Sequence, residues 1–365
     1  MTHKLTLQEI DEFSKEFNDN PENKVIARAA QRSGVLDASY NDRIQAQLTR
    51  VFSTELDTDN VTNQKHSGRC WLFSTLNIAR HFFGKKYKAK NFTFSQAYNF
   101  FWDKIERANI FYDNILATAD KALDSREVKA NLDFAGTDGG QFNMGAALVA
   151  KYGLVPSYAM PETFNTNDTT GFATALGDKL KKDALVLRKL KQEGKDDEIE
   201  KTRKKFLSQI YRMTAIAVGE PPKKFDLEYR DDDKKYHLEK DLTPIEFMNK
   251  YLGDLDWGDY VVLTNAPDHE YDKLYGLPGE DNIEGSYRIK LLNVPMEYLT
   301  SASIAQLKDG EAVWFGNDVL RQMDRKTGYL DTNLYKLNEL FDVDLDMDKA
   351  NRLRTGVGTV SHAMT

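Results

Sequence analysis

Nine residues decide how this chain is read: Asn63-Gln64-Lys65-His66-Ser67-Gly68-Arg69-Cys70-Trp71. They form a polar, turn-prone run that stops where a helical pattern starts. Trp71, Phe73, Leu76, Ile78, Ala79 and Phe82 give that pattern a wide apolar face up to Gly84-Lys85-Lys86. A cysteine at such a boundary sits at the positive end of a helix dipole, which favours thiolate over thiol. Ser67 and Gly68 let the backbone turn tightly and keep the sulfur approachable, while the Cys70 N–H can point at a developing oxyanion. Gln64, six positions earlier, can add a side-chain N–H to the same hole. A lone cysteine is more often a small buried hydrophobe. Here the glutamine, the glycine turn and the helix start coincide, so Cys70 is read as a nucleophile.

On the N-terminal side, residues 6–18 predict a helix, with Thr6 and Glu9 at capping-box spacing, Leu7, Ile10, Phe13 and Phe17 on one face, and Asn20-Pro21 as its end. A second helical pattern is expected around 39–52, from Ile44, Leu48 and Val51. On the other side, residues 94–111 read as a buried helix whose aromatic stripe belongs to a core. Gly136 to Gly140 is a turn-rich loop leading into a helix closed by Gly153. The mixed-charge stretch 172–218 predicts a solvated helical hairpin rather than a nucleic-acid arm. Beyond 220, runs at 260–263, 289–294 and 312–315 read as strands, with helical pieces at 302–308 and 347–353. The order is α+β.

The bulk numbers fit an enzyme. In 365 residues, 41% are hydrophobic and 29% charged, which suits a folded globular chain. The net charge of -7 argues against nucleic acid or an anionic membrane as partner. The N-terminus lacks the apolar run of a signal peptide and no stretch is long enough to span a membrane, so a cytoplasmic protein is expected. One cysteine rules out an internal disulfide and a multi-cysteine metal site. Asp231-Asp232-Asp233 lacks the alternating ligand spacing of a calcium loop and reads as a solvated turn. No metal or cofactor is expected.

Gln64 to Trp71 resembles the oxyanion-glutamine and catalytic-cysteine block of papain-like peptidases, and the form Q-x-x-S-G-R-C-W resembles the bleomycin hydrolase/aminopeptidase C branch. Further blocks extend the likeness over nearly the whole chain: SQAYNFFWDKIERAN at 95–109, GTDGGQF at 136–142, YAMPETFNTNDT at 158–169, LLNVPMEYL at 291–299, VWFGNDV at 313–319 and DRKTGYLDTNLY at 324–335. The resemblance implies a two-lobe papain-like fold with a helical insertion. The expected layout is an N-terminal extension at 1–60, a left helical lobe with the nucleophile at 61–156, a mainly helical insertion at 157–285, and the start of a barrel-like right lobe at 286–365. It also implies peptide substrates, a homohexamer, and a cysteine-type aminopeptidase. An endopeptidase of the same chemistry, or a non-catalytic binding or assembly protein on this fold, are the alternatives.

A thiolate needs an imidazole to pair with it and protonate the leaving amine. Of six histidines, His3 lies in the tail, His237 and His269 in charged loops, His81 in a buried helix, and His66 four residues before the helix start. Val360-Ser361-His362-Ala363-Met364 resembles the family's histidine strand, which makes His362 the implied base. It lies 292 positions after Cys70, against roughly 130–150 in simpler papain-type chains; the insertion absorbs the difference. Gly139 and Gly140 could expose bare backbone to an extended peptide, and papain-like clefts use a Gly-Gly pair in that place. The family's orienting asparagine, in an N-S-W-G block, has no counterpart in these residues, so the right-lobe barrel is expected to be incomplete.

Overall fold

A computed structural model describes residues 2–57, 61–277 and 279–365. In chain order its helices are α1 (Leu7–Asp19), α2 (Pro21–Ser33), α3 (Val35–Ala38), α4 (Cys70–Tyr87), α5 (Gln96–Ala117), α6 (Arg126–Asp133), α7 (Phe142–Tyr152), α8 (Phe164–Asn167), α9 (Thr170–Gln192), α10 (Asp196–Val218), α11 (Pro244–Leu252), α12 (Met296–Lys308), α13 (Leu337–Phe341) and α14 (Lys349–Arg354). Its strands are β1 (Phe225–Arg230), β2 (Tyr236–Leu242), β3 (Val262–Thr264), β4 (Lys273–Gly276), β5 (Lys290–Asn293), β6 (Phe315–Asn317), β7 (Met323–Asp324), β8 (Tyr329–Leu330) and β9 (His362–Met364). The chain divides into two compact units, one of residues 1–53 with 317–361 and one of 54–316 with 362–365.

In the smaller unit, α1 begins at the expected capping box, Thr6 with Glu9. Asn20-Pro21 ends it and also starts α2, because Asn20 Oδ1 accepts the Glu22 N–H at 3.0 Å and proline suits a first helical position. The helix expected over 39–52 shrinks to a single 3-10 turn, Asp42–Ala46. Past it, Thr49 Oγ1 takes the Val51 N–H at 3.1 Å, a local bond that competes with helix continuation, and Val51 is 80% exposed. The two chain segments of this unit meet where the Asn41 N–H donates to Leu334 O (2.9 Å) and Lys336 N–H to Ser39 O (2.8 Å).

The larger unit is built on α4 and α5. Trp71, Leu72, Leu76, Ala79 and Phe83 of α4 and Ala97, Phe100, Phe101, Ala108, Tyr112 and Ile115 of α5 are fully or almost fully buried. α7 packs on both, and its end is set by Gly153 at φ 76°, where a side chain would strike Pro244. α9 and α10 pair with each other and lie on α5. Phe172, Leu176, Leu180, Ala184 and Leu187 of α9 are buried while Lys181, Lys182, Lys189 and Lys191 are exposed, so the hairpin is solvated on one side only. The β1–β2 hairpin, turning through Asp231-Asp232-Asp233, and α11 close over the end of α4 with an aromatic cluster of Phe83, Phe92, Phe94, Tyr229, Phe247 and Tyr251. The stretch 157–285 therefore carries strands as well as helices. β5 lies between β3 (parallel) and β4 (antiparallel). Among the described residues no closed barrel forms.

Candidate active site

Cys70 is the first residue of α4, and its cap residue, Arg69, makes no side-chain bond to the helix's leading N–H groups. The Leu72 and Phe73 N–H groups donate to Arg69 O at 3.0 Å, which leaves the Cys70 and Trp71 N–H groups as the uncapped donors of the helix start. Arg69 is instead fully buried and turned the other way. Its guanidinium donates to both oxygens of Glu162 (3.2 and 2.6 Å), to Thr166 O (2.6 Å) and, through Nε, to Ser67 Oγ (3.1 Å), sandwiched by the rings of Phe73 and Phe100. Ser67 Oγ in turn donates to Gln64 O (2.6 Å), and Gln64 Nε2 donates back to Ser67 O. One amide hydrogen of Gln64 is thus used to hold the side chain, and the second is available to a ligand. Lys65 supplies the left-handed residue of the turn, at φ 56°, with Asn63 Oδ1 accepting its N–H at 2.8 Å.

Gln64, Cys70 and His362 line one cavity of about 770 Å³, together with Phe73, Leu299 and Phe315 among others. His362 opens β9, which packs against α4, and the hydroxyl of Thr365 donates to Ser74 O at 2.8 Å. The other described histidines are occupied elsewhere. His66 is exposed, its backbone paired with the 167–169 segment. His81 Nε2 lies 2.9 Å from Gly310 O, His237 pairs with Asp231 and stacks on Tyr229, His269 faces Asp268, and His3 faces Glu9. Of the six, His362 alone shares the cavity with the sulfur.

Gly139 and Gly140 do not line that cavity; their loop is tied to the residue after Cys70, because Trp71 Nε1 donates to Asp138 O at 2.7 Å. Gly68 and Asp138 touch so closely that a Cβ on Gly68 would lie 2.7 Å from Asp138 Cβ, which explains the glycine before Arg69. Burial pushes the Asp138 carboxyl up, but Lys104, with Nζ at 2.7 Å, outweighs that, joined by Thr169 and Arg107, and the group is held below its ordinary value. Glu162, Lys104 and Arg107 were not legible as site residues from sequence; Arg69 stands in the decisive motif, and its missing partner lies 93 positions away. No cluster of His, Cys, Asp or Glu able to hold a metal occurs among the described residues.

Comparison with known proteins places this arrangement. The model of the peptidase C1-like family matches residues 4–365. The chain belongs to that family. Among its relatives, it is 84% identical over 365 residues to aminopeptidase E of Lactobacillus helveticus, spanning 100% of this chain and 83% of the relative. It is 41% identical to aminopeptidase C of Lactobacillus delbrueckii subsp. lactis, over 100% of this chain and 82% of that one. A crystal structure of PepW from Lactobacillus rhamnosis superposes with a TM-score of 0.95 at 43% identity, covering 100% of this chain and 82% of that chain. A peptidase C1-like chain has a papain-like fold, and the likeness of 43% at this TM-score gives the same fold here. No helix among the described residues is long and apolar enough to cross a membrane.

Proposed function

We propose that this chain is a cysteine-type aminopeptidase that removes N-terminal residues from peptides, with Cys70 as nucleophile, His362 as acid and base, and Gln64 in the oxyanion hole. The observation that carries this reading is the shared cavity: the sulfur at a helix start, the one histidine beside it and the glutamine amide all line it. The relatives' names supply the exopeptidase sense.

In the reaction, the Cys70 thiolate attacks the carbonyl carbon of the scissile amide. The carbonyl oxygen takes up the negative charge and accepts from Cys70 N–H and from the second amide hydrogen of Gln64. The imidazolium of His362 gives its proton to the amide nitrogen, the C–N bond breaks, and the amine leaves a thioester on Cys70. Water then attacks the thioester with its proton passing to His362, the C–S bond breaks, and the acid leaves, restoring the ion pair. Gly139 and Gly140 border the substrate's path. We keep the layout of extension (1–60), left lobe (61–156), insertion (157–285) and start of the right lobe (286–365) and a homohexamer as parts of this reading, both resting on the family resemblance, and a cytosolic location, which rests on the sequence having no signal-like apolar run at its start.

The test compares a peptide with its N-acetylated form. Hydrolysis of the free peptide alone is expected. Equal hydrolysis of the capped peptide would replace the aminopeptidase with an endopeptidase of the same chemistry, and no Cys70-dependent hydrolysis of either would leave a binding protein on this fold.

A further inference from the structure

Three successive carbonyls of the loop beside the nucleophile are each captured by a different side chain. Thr137 O accepts from Lys104 Nζ (2.8 Å), Asp138 O from Trp71 Nε1 (2.7 Å), and Gly139 O from Arg107 Nη2 (2.5 Å). The fourth, Gly140 O, meets no donor among the described residues. Arg107 is itself fixed: its Nε lies 2.8 Å from both oxygens of the fully buried Asp103, which also accepts from Asn282 Nδ2 at 3.2 Å. Its guanidinium lies 5.5 Å from the centre of the Trp71 ring. A Cβ on Gly140 would come within 2.7 Å of that ring and 3.1 Å of Arg107 Nη2, whereas nothing lies within 4 Å of one on Gly139. The glycine at 140 is thus demanded by close packing on the arginine and the tryptophan, and the one at 139 is open on its outer side.

We infer that Arg107 is a positioning residue for substrate binding: by holding Gly139 O it makes Gly140 the backbone acceptor offered to the N–H groups of a bound peptide, or to the ammonium of its first residue. The inference rests on the peptidase reading. An edge that pairs with a peptide must have its other polar groups satisfied and its position fixed, because a backbone acceptor displaced by about 1 Å loses most of its bond. Lys104, Trp71 and Arg107 do this from the protein side. Lys104 and Arg107, which stand on another helix, act on the peptide's affinity and leave the sulfur, whose helix start is anchored through Arg69, unmoved.

The test measures binding of trialanine amide to the full Cys70→Ala chain by calorimetry, adding Arg107→Met, Arg107→Lys, and the double change Asp103→Asn/Arg107→Met, which avoids stranding a buried carboxylate. In chains that keep Cys70, it also measures alkylation of the sulfur by iodoacetamide. The expected result is a Kd raised about tenfold or more in both methionine variants and by less in the lysine variant, with alkylation rates within about twofold of the parent. An unchanged Kd in the double variant overturns the inference. So does alkylation that falls in step with affinity, which would mean that the whole site has loosened. If the affinities follow the expected pattern while the parent fails to hydrolyse the peptide, the peptidase reading falls and the role of Arg107 stands. If trialanine amide does not bind the Cys70→Ala chain at all, the role of Arg107 falls regardless of turnover.

Discussion

Loop 63–69 and loop 136–140 meet around Trp71, and an arginine serves each, yet the two are held from opposite directions. The nucleophile loop anchors itself. Its own Arg69 reaches out of it, fully buried, into Glu162 and the 166 carbonyl. The glycine loop is clasped from outside by Lys104 and Arg107, which stand on a helix formed earlier in the chain. An anchor adjacent in sequence to the sulfur cannot give way without moving the sulfur, whereas an external clasp can be loosened while the nucleophile stays in place. On the proposed function, the difference separates what sets the rate of bond breaking from what sets the grip on substrate.

The most drastic way to sharpen that separation is to remove the chemistry. Cys70→Ala or His362→Ala should lower kcat by about 10⁴-fold or more, while peptide affinity at the glycine loop persists; steady-state kinetics and calorimetry on the same variants read both. Arg69→Met should come next. It leaves Glu162 and the Thr166 carbonyl without their donor, costing about 3 kcal/mol in urea unfolding. It should also lower kcat about ten- to a hundredfold with little change in KM, because Ser67 and Gln64 lose their support. A rise in KM at constant kcat would erase the contrast between the two loops.

Smaller effects come from their point of contact. Gly68→Ala places a Cβ 2.7 Å from Asp138 Cβ, so the loops must part, at a cost of about 1–3 kcal/mol, and kcat and KM should both suffer. Asp138 gives the mildest probe. Its folded-state carboxyl lies below the ordinary 3.8, so the stabilisation it brings is complete above that value and is lost as pH falls through the lowered one. The difference in melting temperature between the parent and Asp138→Asn should be constant near neutrality and shrink only in acid. A gap that closes already above pH 5 would refute the pairing with Lys104.

How much of this was visible in the sequence depended on the range of each interaction. The start of α4 could be read because capping, the dipole and the apolar face act within one turn or two, and the buried helix at 94–111 because its aromatics repeat at helical spacing. The helix expected over 39–52 failed because three apolar residues at the right spacing do not outweigh a threonine bonding its own backbone, and α2 was missed because Asn20-Pro21 was read as a stop when it is equally a start. The Gly-Gly pair was visible, but the reason for the glycine at 140 was not: it lies in Trp71 and Arg107, whose side chains arrive from other elements. Arg69 with Glu162, and Asp103 with Arg107 and Asn282, are tertiary pairings that leave no local periodicity.

Within these 365 residues the sulfur of Cys70 has no second thiol to turn to. Oxidised to a sulfenic acid, it could not be rescued by forming a disulfide inside this chain, so only a small-molecule thiol or another protein could return it to the reduced state before it passes to the irreversible sulfinic form. The same solitude makes the chain its own titrant: within these residues, any reagent that counts reduced thiols counts Cys70 alone.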